Sequence, residues 1–333
     1  INGKFLDQNL TGVQRYANDF CADLKFKDNF TILVPRAVDL ANFNNIKVKK
    51  VGFFHGFFWE QFELPLYLYL KQKNRYLLNL CNIAPIFYKK NIVTLHDVAF
   101  LRNSKWFSWK FRLFYKLFIP IIIRRAIKVL TDSDFSKREI YETLKADSEV
   151  FYLRSTFQST PPSSSKKNIF ITIGSNNFRK NTNFLFDAFT ELRLKLIIVG
   201  QSSKNLKGYN NIKFNCYSDI ELKNEILNSK ALVSASLYGG FNLPPLEAQS
   251  LGVPIILSDI PVHREVYGNS ALYFNLESLD DLNAAINKLN CKKFYSNLVT
   301  KGYANVRRLI KYRNNYIKLK KYGVEFNVNI NKE

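Results

Sequence analysis

Hydrophobic residues along this chain gather in short continuous runs. Of the segments 91–95, 128–131, 168–174, 194–200, 211–217, 231–236, 254–258 and 271–274, most are continuous apolar runs rich in Ile, Val and Leu. A strand buried on both faces reads this way, as in a parallel sheet covered by helices. The stretches between carry helical signals. Over 182–192, Phe184, Leu185, Ala188, Phe189 and Leu192 share one helix face. Ser136 with Glu139, and Ser218 with Glu221, have the spacing of capping boxes. Strands alternating with helices predict βαβ units and doubly wound parallel sheets.

The alternation breaks over 155–165, a run of Ser, Thr, Phe, Gln and Pro with the composition of a linker. At 333 residues the chain is too long for one ordinary domain and suits two. We therefore read an α/β protein with an N-terminal Rossmann-like domain over 1–155 and a second over 166–304. Ligands of such folds bind at the carboxyl ends of the strands, and a central cleft between the two domains is the expected place. A last basic, Tyr-rich helix is predicted within 301–321, and 326–333 is expected to fray.

Composition narrows the class. With 47% apolar and 23% charged residues, a disordered chain is excluded. Cys21, Cys81, Cys216 and Cys291 lie far apart with no C-x-x-C pair. That argues against a disulfide scaffold or structural zinc and predicts a reducing cytosol. No apolar run approaches the roughly 18 residues of a spanning helix, and no signal peptide opens the chain. The chain has no Met and opens on Ile1-Asn2-Gly3, which reads like the end of a strand, so a few preceding residues are expected to be missing.

The net charge of +22 points to an anionic partner: nucleic acid, an acidic membrane surface or a phosphorylated ligand. The most informative segment for choosing among them is Ser236-Leu-Tyr-Gly239-Gly240-Phe241-Asn242-Leu243-Pro244-Pro245-Leu246-Glu247-Ala248. It follows a buried run and leads into a helix. Pro244 and Pro245 suit a first helical turn, and Gly252 ends the helix. Gly239 and Gly240 let the backbone approach a ligand. The N–H groups about 240–243 and the helix start make an anion-friendly pocket. Glu247, expected on the first turn, would bridge vicinal hydroxyls such as a ribose diol; the bland reading is a surface Glu.

This segment, with Leu251-Gly-Val-Pro254, Ser258-Asp-Ile-Pro261 and Arg264-Glu-Val266, resembles the donor-binding half of retaining glycosyltransferases of the GT-B fold, family 4. The likeness continues upstream, in order. Ile173-Gly174 followed by Arg179-Lys180-Asn181 resembles the family's phosphate-binding R-K-N. Thr94-Leu-His96-Asp97 resembles its strand-end H-D, Ser133-Asp-Phe-Ser-Lys-Arg138 its helix start, and Thr11-Gly-Val-Gln-Arg15-Tyr16 its first-domain loop.

The resemblance implies two facing Rossmann-like domains, with a last helix at about 305–325 packing back on the first. It implies a nucleotide-sugar donor and a glycan or lipid-linked acceptor, with no cofactor and no metal. Glu247 would hold the ribose. Lys180, helped by Arg179, would neutralise the diphosphate. The amides of Gly240, Phe241, Asn242 and Leu243 would hold the donor sugar, His96 would sit near its hydroxyls, and Gly12 would let its loop approach the diphosphate. Three positions depart from the pattern. Gly239 replaces a Glu, Asn242 the second glycine of G-F-G, and Ser175 an Arg. The Gly239 change implies an altered donor or a non-catalytic relative.

The remaining candidates are weaker. Asp132-Ser133-Asp134 spells a D-x-D metal motif but reads as helix capping, because Ser136 and Glu139 follow at once. His55 and His263 read as structural. A basic nucleic-acid-binding protein is the alternative class, motivated by the charge and by 29 Phe, 18 Tyr and 3 Trp. It leaves 240–247 unexplained and shows no known signature, so no nucleic acid is expected. The segment 105–118 mixes cations with aromatics, among them Trp106, Trp109, Lys110, Arg112 and Lys116, and Pro120 is expected to interrupt it. No acid lies between Asp97 and Asp132. Such a segment suits an anionic bilayer surface. The expectation is a peripheral enzyme of cell-surface polysaccharide synthesis on the inner face of the cytoplasmic membrane.

Overall fold

The computed structural model describes residues 1–8, 11–24, 27–38, 46–72, 75–161, 167–174, 177–200, 212–215 and 218–314. The chain forms two compact units, Ile1–Tyr152 joined by residues from Lys311 on, and Leu153–Ile310.

The first unit holds strands β1 (Thr31–Val34), β2 (Lys47–Lys50), β3 (Leu77–Asn79), β4 (Asn91–Thr94), β5 (Lys128–Thr131) and β6 (Glu149–Val150). β1 and β2 pair in parallel, and a second parallel sheet runs β3-β4-β5-β6. Asn2 links them: it bridges to Leu33 in parallel, and its N–H donates to the Leu78 carbonyl at 2.9 Å. Val93, Leu95, Val129 and Ile140 form the core with Ile119, Ile122 and Ile123 of the helix Trp109–Arg125. That helix runs through Pro120. The expected interruption is absent because burial outweighs it. An interior proline costs about 3 kcal/mol, while each buried Ile contributes about 1.5–3 kcal/mol.

The second unit holds β7 (Ile169–Ile173), β8 (Lys195–Val199), β9 (Ile212–Asn215), β10 (Ala231–Ser234), β11 (Ile255–Ser258) and β12 (Leu272–Phe274). All pair in parallel, in the order β12-β11-β10-β7-β8-β9. Starting from β7 this is the doubly wound order, whose winding reverses between β7 and β10. Phe170, Phe189, Ile198, Val233, Ile256 and Phe274 fill its core.

Two expectations shift. The division falls after Tyr152, and the Ser/Thr run is no free linker. The Ser155 and Ser250 hydroxyls lie 2.7 Å apart, and the Thr160 N–H donates to the Ser250 carbonyl at 3.1 Å. Residues 162–166 lie outside the described residues. The last helix is Lys292–Asn314, beginning nine residues before the expected start. Its Arg313, buried, pairs with Asp23 at 2.7 Å and lies 4.7 Å over the Phe151 ring, both of the first unit. The rest of the expected helix and 326–333 lie outside the described residues.

Candidate functional site

The switch point of the second sheet brings two loops together. After β7, Gly174 allows close packing: a Cβ there would stand 2.5 Å from Thr182 Cγ2. Ser175 lies outside the described residues. Asn177 then caps a short 3-10 turn, Phe178–Lys180, by accepting the Arg179 N–H at 3.0 Å. The Arg179 carbonyl accepts the Leu237 N–H at 2.8 Å, which fixes this turn to the loop after β10.

The β10 loop closes at Asn242, in the left-handed region at φ 70°. Asn tolerates this conformation nearly as glycine does, and its amide adds three partners. Oδ1 accepts from Lys180 Nζ at 3.0 Å; Nδ2 donates to Ser234 Oγ at 3.0 Å and to His263 Nε2 at 2.9 Å. His263 in turn donates from Nδ1 to the Ser258 carbonyl at 2.8 Å, which makes it the neutral tautomer. Burial first, and the Lys180 charge behind it, hold its pKa down at about 4 against the raising effect of the Ser258 bond. His263 thus serves the site instead of filling core alone.

Asn242 starts the helix Leu243–Ser250. Pro244 and Pro245 remove two of the four N–H groups that a helix start leaves open. Gly240, Phe241 and Leu243 are buried. Gly239 faces open space: a Cβ there meets nothing within 4 Å. Glu247 stands on the second turn and is 2% exposed, so it is neither first-turn nor surface. Its Oε1 accepts from the Thr156 hydroxyl at 2.7 Å. Tyr267 donates to the Asn242 carbonyl at 2.6 Å, and burial, then the Glu247 charge, push its phenol pKa well up.

The other expected residues lie in the first unit. His96 follows β4 and is buried. Its Nδ1 donates to Asp132 Oδ2 at 2.8 Å, its Nε2 to the Leu80 carbonyl at 3.0 Å, and the Tyr16 ring lies edge-on at 4.8 Å. Burial works against the charged ring, but the Asp132 charge and hydrogen bond and the Leu80 carbonyl outweigh it, so the pKa is raised. With both nitrogens donating, the ring is an imidazolium that ties the end of β4 to the residues following β3 and β5. Asp132 is thus the partner of His96 and no cap. The cap of the helix Asp134–Leu144 is Ser133, not Ser136, whose hydroxyl donates to the His96 carbonyl at 3.0 Å. Asp134 accepts the Tyr152 hydroxyl at 2.9 Å.

Gly12 begins the helix Gly12–Asp23 behind a Thr11/Gln14 capping box, exposed, with nothing within 4 Å of an added Cβ. Trp106 and Arg112 are half-buried, while Trp109, Lys110 and Lys116 are exposed. The first unit also holds a cavity of about 590 Å³, lined by Asn2, Gln8, Gln14, Asn82 and the Lys4–Glu60 pair among others. Arg179, Lys180, Gly239, Asn242 and Glu247 are therefore gathered in one unit, while Gly12, His96 and the aromatic segment belong to the other.

Residues 154–304, nearly the whole second unit, match the family described as Glycosyl transferases group 1. Through this unit the chain is similar to the glycosyl transferases group 1. The O-antigen chain mannosyltransferase RfbU of Salmonella typhimurium is 29% identical over 224 residues, 60% of this chain and 61% of that protein. The chain thus spans about three fifths of that relative's length. The likeness of fold reaches further. The sucrose-phosphate synthase of Thermosynechococcus elongatus superposes with a TM-score of 0.70 at 13% identity, covering 93% of both chains. HepE of Anabaena, solved with UDP and glucose, gives 0.69 at 14% identity over 93% of this chain and 96% of that one. The fold is that of the GT-B glycosyltransferases, as the motifs implied.

Proposed function

We propose that the chain is a retaining, metal-independent glycosyltransferase. It would move mannose, rhamnose or a similar sugar from a nucleotide diphosphate to a glycan or lipid-linked saccharide in O-antigen or capsule synthesis. The observation that carries this is the hydrogen bond of Lys180 to Asn242 at the switch point, with Glu247 on the helix that Asn242 begins. Glu247 would receive the ribose hydroxyls and Lys180 the diphosphate, with Arg179 beside it. The mannosyltransferase RfbU supports the sugar and the pathway, and the UDP and glucose in HepE support a nucleotide-sugar donor.

In the reaction the anomeric carbon–phosphate oxygen bond breaks and a bond to the acceptor oxygen forms on the same face. The proton of the acceptor hydroxyl passes to the departing phosphate. The negative charge growing on that phosphate meets a fixed ammonium and the N–H groups of residues 240–243, a preorganised arrangement worth several kcal/mol (roughly 3–4 for a single donor). The amide-rich cavity of the first unit offers matching partners for acceptor hydroxyls. We place the enzyme peripherally on the inner face of the cytoplasmic membrane, with Trp109, Lys110 and Lys116 toward anionic lipid. No helix among the described residues is long and apolar enough to cross a membrane.

Gly239 favours a second reading, a non-catalytic relative. A thermal-shift screen against UDP, GDP and dTDP sugars, with and without EDTA, followed by transfer of labelled sugar, separates the two. A donor present at 100 times its Kd raises stability by about 2.7 kcal/mol. Stabilisation with transfer, unaffected by EDTA, is the expected result; stabilisation without transfer to any acceptor supports the second reading, and no stabilisation by any donor removes both.

A further inference from the structure

The helical stretch over 56–71 is turned inside out. It runs as Gly56–Phe58, a π-helical turn Trp59–Glu63, and Leu64–Lys71. Two of its polar residues, Glu60 and Gln61, face inward. Glu60, 2% exposed, pairs with Lys4 at 2.6 Å and accepts from Asn2 at 2.8 Å. Gln61, 3% exposed, donates to the Ala84 carbonyl at 3.1 Å and accepts from the Ile86 N–H at 3.0 Å. Four of its large apolar residues face outward at four-residue spacing: Phe58 62%, Phe62 54%, Leu66 58% and Leu70 65% exposed. A helix on a water-facing surface has the opposite arrangement. Buried Trp59, Leu64 and Leu68 hold this one in place.

The preceding loop extends the stripe. The Glu63 carboxylate accepts the Phe53 N–H at 2.7 and 2.9 Å and the Phe54 N–H at 2.8 Å. Gly52 turns the chain there at φ 73°, where a side chain would strike that carboxylate. Both phenylalanine rings are thereby held outward, 73% and 60% exposed. Phe54 lies 6.5 Å from Phe58, which stacks on Phe62 at 6.1 Å.

The helix Trp109–Arg125 lies alongside. Phe57 packs edge-on against its Phe114 at 5.4 Å and Phe118 at 5.3 Å. Trp109, Leu113, Leu117 and Ile121 form its own exposed stripe at four-residue spacing. Of the twenty large apolar side chains exposed among the described residues, seventeen are in the first unit, so this exposure belongs to that unit and not to the chain in general. Charge identifies what covers it. From Leu64 to Thr131 there are thirteen Lys and Arg and one acid, Asp97. The carboxylates on the stripe's own helix, Glu60 and Glu63, are held by internal bonds, and Lys71, Lys110, Lys116 and Arg124 are exposed. A second copy docked here would set cations against cations, whereas anionic headgroups complement them.

We infer that the first unit docks on an anionic lipid bilayer by inserting the apolar stripe of 56–71 and its Phe53–Phe54 loop, with the cations of Trp109–Arg125 against the headgroup phosphates. This rests on the membrane partner proposed above and gives it a surface beyond the 105–118 segment. The hold is then largely apolar and survives salt, which screens charges but not insertion.

Flotation of the full chain with phosphatidylcholine–phosphatidylglycerol vesicles, at low and high sodium chloride, tests it. The native chain is expected to float and to keep a measurable bound fraction in high salt. F58S/F62S is expected to lose roughly a hundredfold or more in partitioning and to stay unbound at either salt. Its melting temperature and sugar-nucleotide binding are expected to match the native chain, because both positions are exposed. K110A/K116A should lose only the salt-sensitive part. If F58S/F62S floats like the native chain while K110A/K116A does not, the inserted stripe is overturned and the membrane partner stands. If the native chain floats on no vesicle, both fall. A native dimer that F58S/F62S converts to monomers, without flotation, makes the stripe a contact between copies and overturns the inference.

Discussion

The Thr156 hydroxyl donates to Glu247 Oε1 at 2.7 Å, joining the run after the unit boundary to the helix Leu243–Ser250. The bond orients a buried carboxylate, which under the proposed function would receive the ribose diol. Removing one such bond costs about 1 kcal/mol, or somewhat more to a charged acceptor. T156V keeps the shape and removes the donor. Its KM for the sugar nucleotide is expected to rise roughly five- to tenfold with kcat little changed, and T156S is expected to restore it. Initial rates over a donor series decide this; an unchanged KM would remove Thr156 from the site.

Lys180 acts as one unit with Asn242. K180A removes the cation that, under the proposed function, would face the leaving diphosphate, and transfer is expected to fall about 10²–10³-fold. N242G keeps the left-handed turn, which glycine adopts freely, but releases the ammonium. A smaller loss, about tenfold, is expected because the charge remains and only its position is lost. In K180A the tether no longer matters, so K180A/N242G should be no worse than K180A alone. Single-turnover rates of the three variants give the cycle. Additive losses would show that Asn242 acts on something other than Lys180.

How legible all this was depends on distance along the chain. The eight apolar runs read as strands are β4, β5 and β7 to β12, because a strand buried on both faces leaves a local signature. β2 left none: Lys47-Val-Lys-Lys is exposed but for one half-buried residue. β3 and β6, at three and two residues, are shorter than any pattern. Lys180, Asn242 and Glu247 were legible as motif. Thr156 was not, since its surroundings have a linker's composition, and neither was His263, since one histidine has no spacing. Asp132 was misread because its partner, His96, lies 36 residues away, while Ser136 and Glu139 gave a nearer and wrong explanation. The outward stripe of 56–71 could not be told from a buried one, because the residues are apolar either way and only packing says which face is wet.

The two buried histidines make opposite demands on pH. His263 has a folded pKa of about 4 against about 6.5 unfolded. Between these values the unfolded chain takes up a proton that the native chain refuses. Its contribution is therefore complete above pH 6.5 and declines by about 1.4 kcal/mol per unit as pH falls toward 4, about 3 kcal/mol in all. His96 has a raised folded pKa, so its contribution is complete below the unfolded value and is lost as pH rises through the folded one. Urea midpoints across pH 4 to 8 should show H263Q flattening the acid limb and H96Q flattening the limb above 6.5. Were H263Q to leave the acid limb unchanged, His263 would already be protonated in the folded chain, and the direction of the Asn242 amide would be reversed.

Gly239 decides between an altered donor and a silent site. Nothing lies within 4 Å of a Cβ at this position, and its φ is outside the left-handed region. G239E is therefore expected to fold normally, with a melting temperature within about 2 °C of native, as for a surface change of under 0.5 kcal/mol. Any change in transfer then comes from the carboxylate itself. Sugar hydroxyls bonded by a carboxylate contribute about 1.5–3 kcal/mol each, so a donor carrying the hydroxyl that Glu would meet should gain roughly ten- to hundredfold over its deoxy counterpart. The measurement is the ratio of kcat/KM for a mannose and a rhamnose nucleotide, native against G239E. A ratio that does not move removes position 239 from donor choice. Transfer by G239E alone, with the native chain silent on every donor, would mean that the native switch point binds nucleotide sugars without using them.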